Sequence, residues 1–282
     1  MKLFNKVTII GVGLMGGSLG LAIKKLGLAN EVSGVFRHKI SLLNAIAQKA
    51  VDNGSLDLEP IKDADLIILA SPVKTILNQI PEVLKKAKPG AIIIDIGSTK
   101  SEIINLASKM LSNKNIFLGT HPLAGLEKKG VTNARADLFK DSVCILTPVK
   151  NTRSKFPAIS KKILLFWKII GAKTIIMDAN SHDEILSFSS HLPHLSAFAL
   201  VNSIPDRFLK YTSGGFKDST RIALSDPAIW QDIFFSNKKL VLKALERFFQ
   251  ELLKLKIAIK KEDFKSLSLL LVKSNKKRRV IK

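Results

Sequence analysis

The chain has 282 residues, 46% of them hydrophobic, enough for one large or two modest cores, and it carries a net charge of +22. No run reaches the roughly 18 apolar residues that span a bilayer, and the single cysteine, Cys144, excludes an internal disulfide and points to a reducing cytoplasm. The positive excess is mostly lysine scattered over predicted helix surfaces, not arginine gathered on one face, which argues against a nucleic-acid partner while leaving a field that would draw in an anionic substrate.

The first predicted element is the strand KVTIIG. Lysines before an apolar run imitate a signal peptide, but the run stops after a few residues at a glycine cluster with no small-residue cleavage site. That cluster, GVGLMGG, sets Gly11, Gly13 and Gly16 in G-x-G-x-x-G spacing between a strand and a helix that shows Met15, Leu19, Ala22 and Leu26 on one face. In a dinucleotide site Gly11 permits the tight turn, Gly13 admits the pyrophosphate and Gly16 lets helix and strand pack closely. The alternative is a glycine turn that serves packing alone.

The second strand, EVSGVF, runs into Arg37, His38 and Lys39. NAD sites place an acid about 20 residues past the glycines to bond the ribose 2′-hydroxyl. Phe36 stands there instead, and Arg37 suits a 2′-phosphate, so NADP is favoured over NAD. Further strands are expected at DLIILA, AIIIDIG, NIFLGT, SVCILTP and KTIIMD. Apolar runs alternating with helical patterns predict a parallel sheet with helices on both faces. ASPV, with Ser71 and Pro72, and DIGSTK, with Ser98 and Thr99, fall at carboxyl ends of strands, where open α/β sheets bind ligands. Ser98 and Thr99 would also serve as helix caps. GTHPLAGLE, residues 119–127, reads as a bend between Gly119 and Gly125 that holds His121 in one place.

After about residue 178 the strand pattern stops. LVLKALERFFQELLKL puts Val241, Leu245, Phe248, Leu252 and Leu255 on one stripe, widened by Leu242, Phe249 and Leu253, which needs a covering surface from this domain or from a second subunit. His191 and His194, three apart, lack a convincing third metal ligand; His182 and Asp183 are nearby, but Pro193 interrupts the spacing, so no metal is expected. Arg221 is either half of a structural ion pair or a clamp on a substrate carboxylate. The tail KSNKKRRVIK reads as frayed and solvated.

GVGLMGGSLG, DIGSTK, GTHPLAGLE with DLFKDSVCILTP, SSHLPHL and SGGFKDSTRIALSDPAIWQDI, in this order, resemble the prephenate dehydrogenase family, which includes the arogenate and cyclohexadienyl dehydrogenases of tyrosine synthesis. The resemblance implies a Rossmann domain over 1–178, followed by a helical domain over 179–282 that dimerises. It implies hydride transfer from a dicarboxylate cyclohexadienol to NAD(P), with loss of carbon dioxide and without metal. His121 then matches the catalytic histidine, Ser98 a serine hydrogen-bonded near it, and Arg221 the arginine gripping a carboxylate. His194, His191 and Glu127 match substrate-side polar positions, and Gly214 and Trp230 line the pocket. Leu126 departs from a small hydroxyl residue and Phe36 from the usual acid. With no length for an appended mutase or regulatory domain, a monofunctional, cytoplasmic homodimer is expected. A β-hydroxyacid dehydrogenase or imine reductase would share the plan without explaining GTHPLAGLE, and a dinucleotide sensor would bind cofactor without turnover.

Overall fold

Strands buried on both faces build the first half of the chain. In the computed structural model, which describes residues 2–112, 114–126, 128–149 and 156–280, eight strands form one sheet: β1 (Phe4–Ile10), β2 (Ala29–Val35), β3 (Asn53–Ser55), β4 (Leu66–Leu69), β5 (Ile92–Asp95), β6 (Ile116–Pro122), β7 (Val143–Pro148) and β8 (Lys173–Ile176). Their order is β3-β2-β1-β4-β5-β6-β7-β8. Helices α1 (Leu14–Lys25) and α5 (Phe156–Ile170) cover one face, while α3 (Val73–Lys86) and α4 (Ser101–Met110) cover the other. Ile92 and Ile94 enter the first core, with Leu19, Ile23, Phe166 and Trp167; Ile93 enters the second, with Ile76, Ile80 and Ile103. This is the doubly wound sheet that the sequence predicts, with α2 (Lys39–Ala47) joining β2 to β3.

Three details differ from the sequence reading. β3 is a three-residue strand, Asn-Gly-Ser, with no apolar run to announce it. β7 runs antiparallel to β6, since the described residues between them hold no crossover α-helix, and β8 then pairs parallel to β7. GTHP is no bend but the end of β6, where Gly119 pairs with Asp95 on one side and Thr147 on the other. Gly119 serves close approach rather than a turn: a Cβ there would stand 2.2 Å from Thr147 Oγ1 and 2.9 Å from Ile104 Cδ1.

The second half is helical. It comprises α6 (Ala179–Leu186), a π-type turn Ser187–His191, α7 (Leu192–Ser203), α8 (Gly214–Thr220), α9 (Pro227–Ser236), α10 (Lys238–Lys260) and α11 (Phe264–Val280). Asp178 caps α6, accepting from the Ser181 amide at 3.0 Å. α6 packs on α4 and β7, and α9 packs on α3, so this half sits against the carboxyl edge region of the sheet. Thr99 and Ser236 hydroxyls meet at 2.9 Å, and Lys129 pairs with Asp226 at 2.8 Å. Among the described residues no helix is long and apolar enough to cross a membrane.

Candidate active site

The glycine fingerprint forms a turn open to a ligand. Gly11 has φ +93°, and a Cβ there would stand 2.7 Å from Ser71 Oγ. A Cβ at Gly16 would stand 2.3 Å from the Gly11 carbonyl oxygen, while Gly13 has nothing within 4 Å. Gly13 also begins α1, whose first turn carries no acid and no side-chain cap, leaving free amides and the positive helix end for a phosphate. Met15 is partly buried against the core, and Pro72 begins α3 beside Ser71. Strain-permitting Gly11, close-packed Gly16 and open Gly13 fit a dinucleotide pyrophosphate. Past β2, the Phe36 ring turns inward: Cβ atoms at Gly34 and Gly54 would stand 2.4 Å and 2.6 Å from it. Arg37, His38 and Lys39 are exposed at the start of α2, and Arg37 makes no ion pair among the described residues.

His121 lies two residues beyond the Gly119–Asp95 pair, at the carboxyl edge of the sheet. Its Nδ1 is 2.8 Å from His182 Nε2, and His182 Nδ1 is 2.8 Å from Asp183 Oδ1. The Asp183 carboxylate also accepts the Lys100 and Ser101 amides, each at 2.8 Å, and so caps α4 from the helical half. Burial, then the neighbouring His182, Lys100 and His191, hold the His121 imidazole well below its ordinary pKa. Burial lowers His182 by more than its Asp183 bond raises it. Asp183 is lowered too: burial would raise it, but the bonds from His182 and Ser101 outweigh that.

Lys100 is fully buried and paired with Asp95, whose carboxyl burial pushes up while the ammonium pulls it back. In β7, opposite Pro122 and next to Ile145, the residue that pairs with His121, burial raises the Cys144 thiol and keeps it protonated. Ser98 is half-buried in the turn before α4 and makes no hydrogen bond to His121, whose Nδ1 is taken by His182.

In the helical half, Trp230 stacks on His194 with ring centroids 3.6 Å apart, and His194 Nδ1 meets the Ser190 carbonyl at 2.9 Å. His191 is buried against Trp230 and 3.2 Å from Asn237 Nδ2, its pKa lowered by burial to about 4. The same Asn237 amide donates to the Asp183 carbonyl at 2.8 Å, tying this cluster to the histidine chain. Arg221 is exposed and begins a short turn, Arg221–Leu224, that packs on α7, the helix of His194. Gly214 opens α8, with nothing within 4 Å of its Cβ position, and Glu127 lies outside the described residues. No group of three or more His, Cys, Asp or Glu residues placed to hold a metal ion occurs among the described residues.

Sequence reasoning did not place His182, Asp183, Asn237 or the Lys100–Asp95 pair in the site. The visible signal was an adjacent His-Asp beside a helix start, which metal spacing alone does not explain.

Comparison with known proteins gives the family. The chain matches the family described as "Prephenate dehydrogenase, nucleotide-binding domain" over residues 19–176 and "Prephenate dehydrogenase, dimerization domain" over 178–273. It is 34% identical over 271 residues to a cyclohexadienyl dehydrogenase of Zymomonas mobilis, covering 93% of this chain and 91% of that protein. The crystal structure of A. aeolicus prephenate dehydrogenase with hydroxyphenyl propionate and NAD+ superposes with a TM-score of 0.89 at 34% identity, covering 99% of this chain and 98% of that one. The Synechocystis arogenate dehydrogenase superposes at 0.81 with 28% identity, over 97% of this chain and 99% of that one. The chain belongs to the prephenate dehydrogenase family, with its nucleotide-binding and dimerization domains in tandem.

Proposed function

We propose that the chain oxidises and decarboxylates prephenate to 4-hydroxyphenylpyruvate, with NADP preferred over NAD, in a homodimer built through the helical half. Family membership makes it an NAD(P)-dependent dehydrogenase of tyrosine biosynthesis. The observation that carries the reading is His121, a neutral imidazole at the carboxyl edge of the sheet, one strand over from the turn that follows β5.

The bound nicotinamide supplies the carbon that accepts the hydride. His121 takes the hydroxyl proton as the carbinol carbon becomes a carbonyl. Loss of the ring carboxylate as carbon dioxide returns its bonding electrons to the ring, and the phenolate oxygen recovers the proton from His121. Aromatisation draws the sequence forward. Arg221 grips a substrate carboxylate by its planar fork, and His194, held flat by Trp230, faces the substrate with His191 behind it. Ser98 adds a polar group before α4, with Gly214 leaving room, and Glu127 is a further substrate-side residue by family resemblance alone.

Prephenate is preferred to arogenate because the His194 side of the site suits a keto rather than an ammonium side chain. Relatives named for cyclohexadienyl and prephenate activity at 34% identity, against 28% for the arogenate enzyme, support that order. NADP is preferred because Phe36 is buried where an acid would bond a ribose hydroxyl, while Arg37 stands exposed beside it. The homodimer reading is supported by Leu242, Phe249, Leu252, Leu253 and Ile257, all exposed on α10. We place the division of the two units at 178 and 179, and the enzyme in the cytoplasm, where the lone buried thiol stays reduced.

Initial rates of nicotinamide reduction with prephenate or arogenate, each with NAD or NADP, test the reading. Turnover fastest with prephenate and NADP is expected. Cofactor binding without turnover on either acid would sink the substrate assignment.

A further inference from the structure

Asp183 has three close polar neighbours, all at 2.8 Å: its Oδ1 accepts the Lys100 amide and meets His182 Nδ1, and its Oδ2 accepts the Ser101 amide. Two of them are backbone N–H groups, which only donate, and the bonds from His182 and Ser101 outweigh burial and hold the carboxyl below its ordinary pKa, so Asp183 is an ionised acceptor. His182 Nδ1 must therefore carry a proton. In the neutral ring the lone pair then sits on His182 Nε2, which faces His121 Nδ1 at 2.8 Å. His121 Nδ1 must donate into it, and the lone pair of His121 is left on Nε2. Each link follows from the one before, and the first is the Asp183 anion, held by two peptide amides.

We propose that His182 and Asp183 are positioning residues that hold His121 in the Nδ1–H tautomer, so that Nε2 is the base. The assignment rests on His121 taking the substrate's hydroxyl proton. The hydroxyl O–H bond breaks and its proton bonds to Nε2; the Nδ1 protons of both histidines stay in place, and nothing need pass along the chain. The imidazolium that forms is held through His182 by the Asp183 anion and is opposed by the buried Lys100 ammonium, itself paired with Asp95. His191 adds no charge while neutral, and the Cys144 thiol across the strand pair adds none while protonated. Because Asp183 belongs to α6 while its amides belong to the start of α4, the base is set only when the helical half is seated on the sheet.

The test uses the full chain with His182→Gln, His182→Leu and Asp183→Asn, reading kcat and KM separately, the pH profile of kcat, and NADP+ binding by calorimetry as a check on folding. His182→Leu should lower kcat about a hundredfold while KM moves only a few-fold. His182→Gln offers an amide oxygen to the same Nδ1–H, and should recover about tenfold of that loss. Asp183→Asn should move the acid limb of kcat to lower pH, because the anion that favours the imidazolium is gone. Equal kcat for the Gln and Leu variants, or an unmoved limb in a folded Asp183→Asn, overturns the proposal. If Asp183→Asn fails to fold, the two His182 variants decide. An unchanged kcat in His121→Asn would instead remove the base itself, a different failure.

Discussion

An imidazole works as a base only while neutral, and the surroundings of His121 push it that way through burial first and then through His182, Lys100 and His191. As the proposed base, His121 is active above its pKa, and activity is lost as pH falls through it. A depressed pKa therefore predicts an acid limb of kcat/KM below the ordinary imidazole range, and a limb at or above that range in a pH-rate profile would contradict it. His121→Asn should lower kcat by about 10²–10⁴ with cofactor binding kept. Arg37 carries the second prediction at this scale. If it reads a 2′-phosphate, Arg37→Ala should collapse the ratio of NADP+ to NAD+ affinity, about tenfold or more in the parent, toward one. Titration calorimetry measures the ratio directly, and a ratio that survives the substitution moves recognition elsewhere on the α2 turn.

His121 and the glycines were legible in sequence because their local patterns carry their chemistry. His182 was not, because its partner lies 61 residues away and only the packing of α6 on the sheet joins them.

Among elements, β6 shows how a local pattern misleads. Glycine, histidine and proline together read as a bend, yet the stretch is strand because its neighbours on both sides supply ladder partners and Gly119 lets Thr147 come close. Gly119→Ala should destabilise the fold by about 1–3 kcal/mol, since backbone pairing on both sides leaves little room to shift. In a Thr147→Ala background the same change should cost less, because the nearest obstruction is the Thr147 hydroxyl. Equal losses of Tm in both backgrounds would show that Ile104 or Lys100 dominates the crowding. The long apolar strands were legible for the opposite reason: burial on both faces leaves continuous Ile, Val and Leu runs, as in Leu66–Leu69. β3 pairs through three small polar residues and leaves no such trace.

At the scale of the molecule, the α10 stripe divides in two. Val241, Ala244 and Ala258 are buried within the chain, whereas Phe249 and Leu253 remain 53% and 52% exposed. An apolar row of that length on the domain matched as "dimerization domain" fits a second copy. Phe249→Glu together with Leu253→Glu should halve the mass seen by sedimentation, and an unchanged mass would place the interface elsewhere. Lysines flank the same helices, so a purely electrostatic association would weaken with salt, whereas burial of this row would not.

The stack of Trp230 on His194 has an optical consequence. The chain has two tryptophans, and Trp167 is sealed in the core with Phe139 and Phe166. Its emission is a steady background. Trp230 shares its face with a titratable ring beside the proposed substrate pocket, so any ligand that parts or tightens the pair changes its fluorescence. With substrate bound as proposed, the pair would report its entry, without nicotinamide present and before any bond is broken.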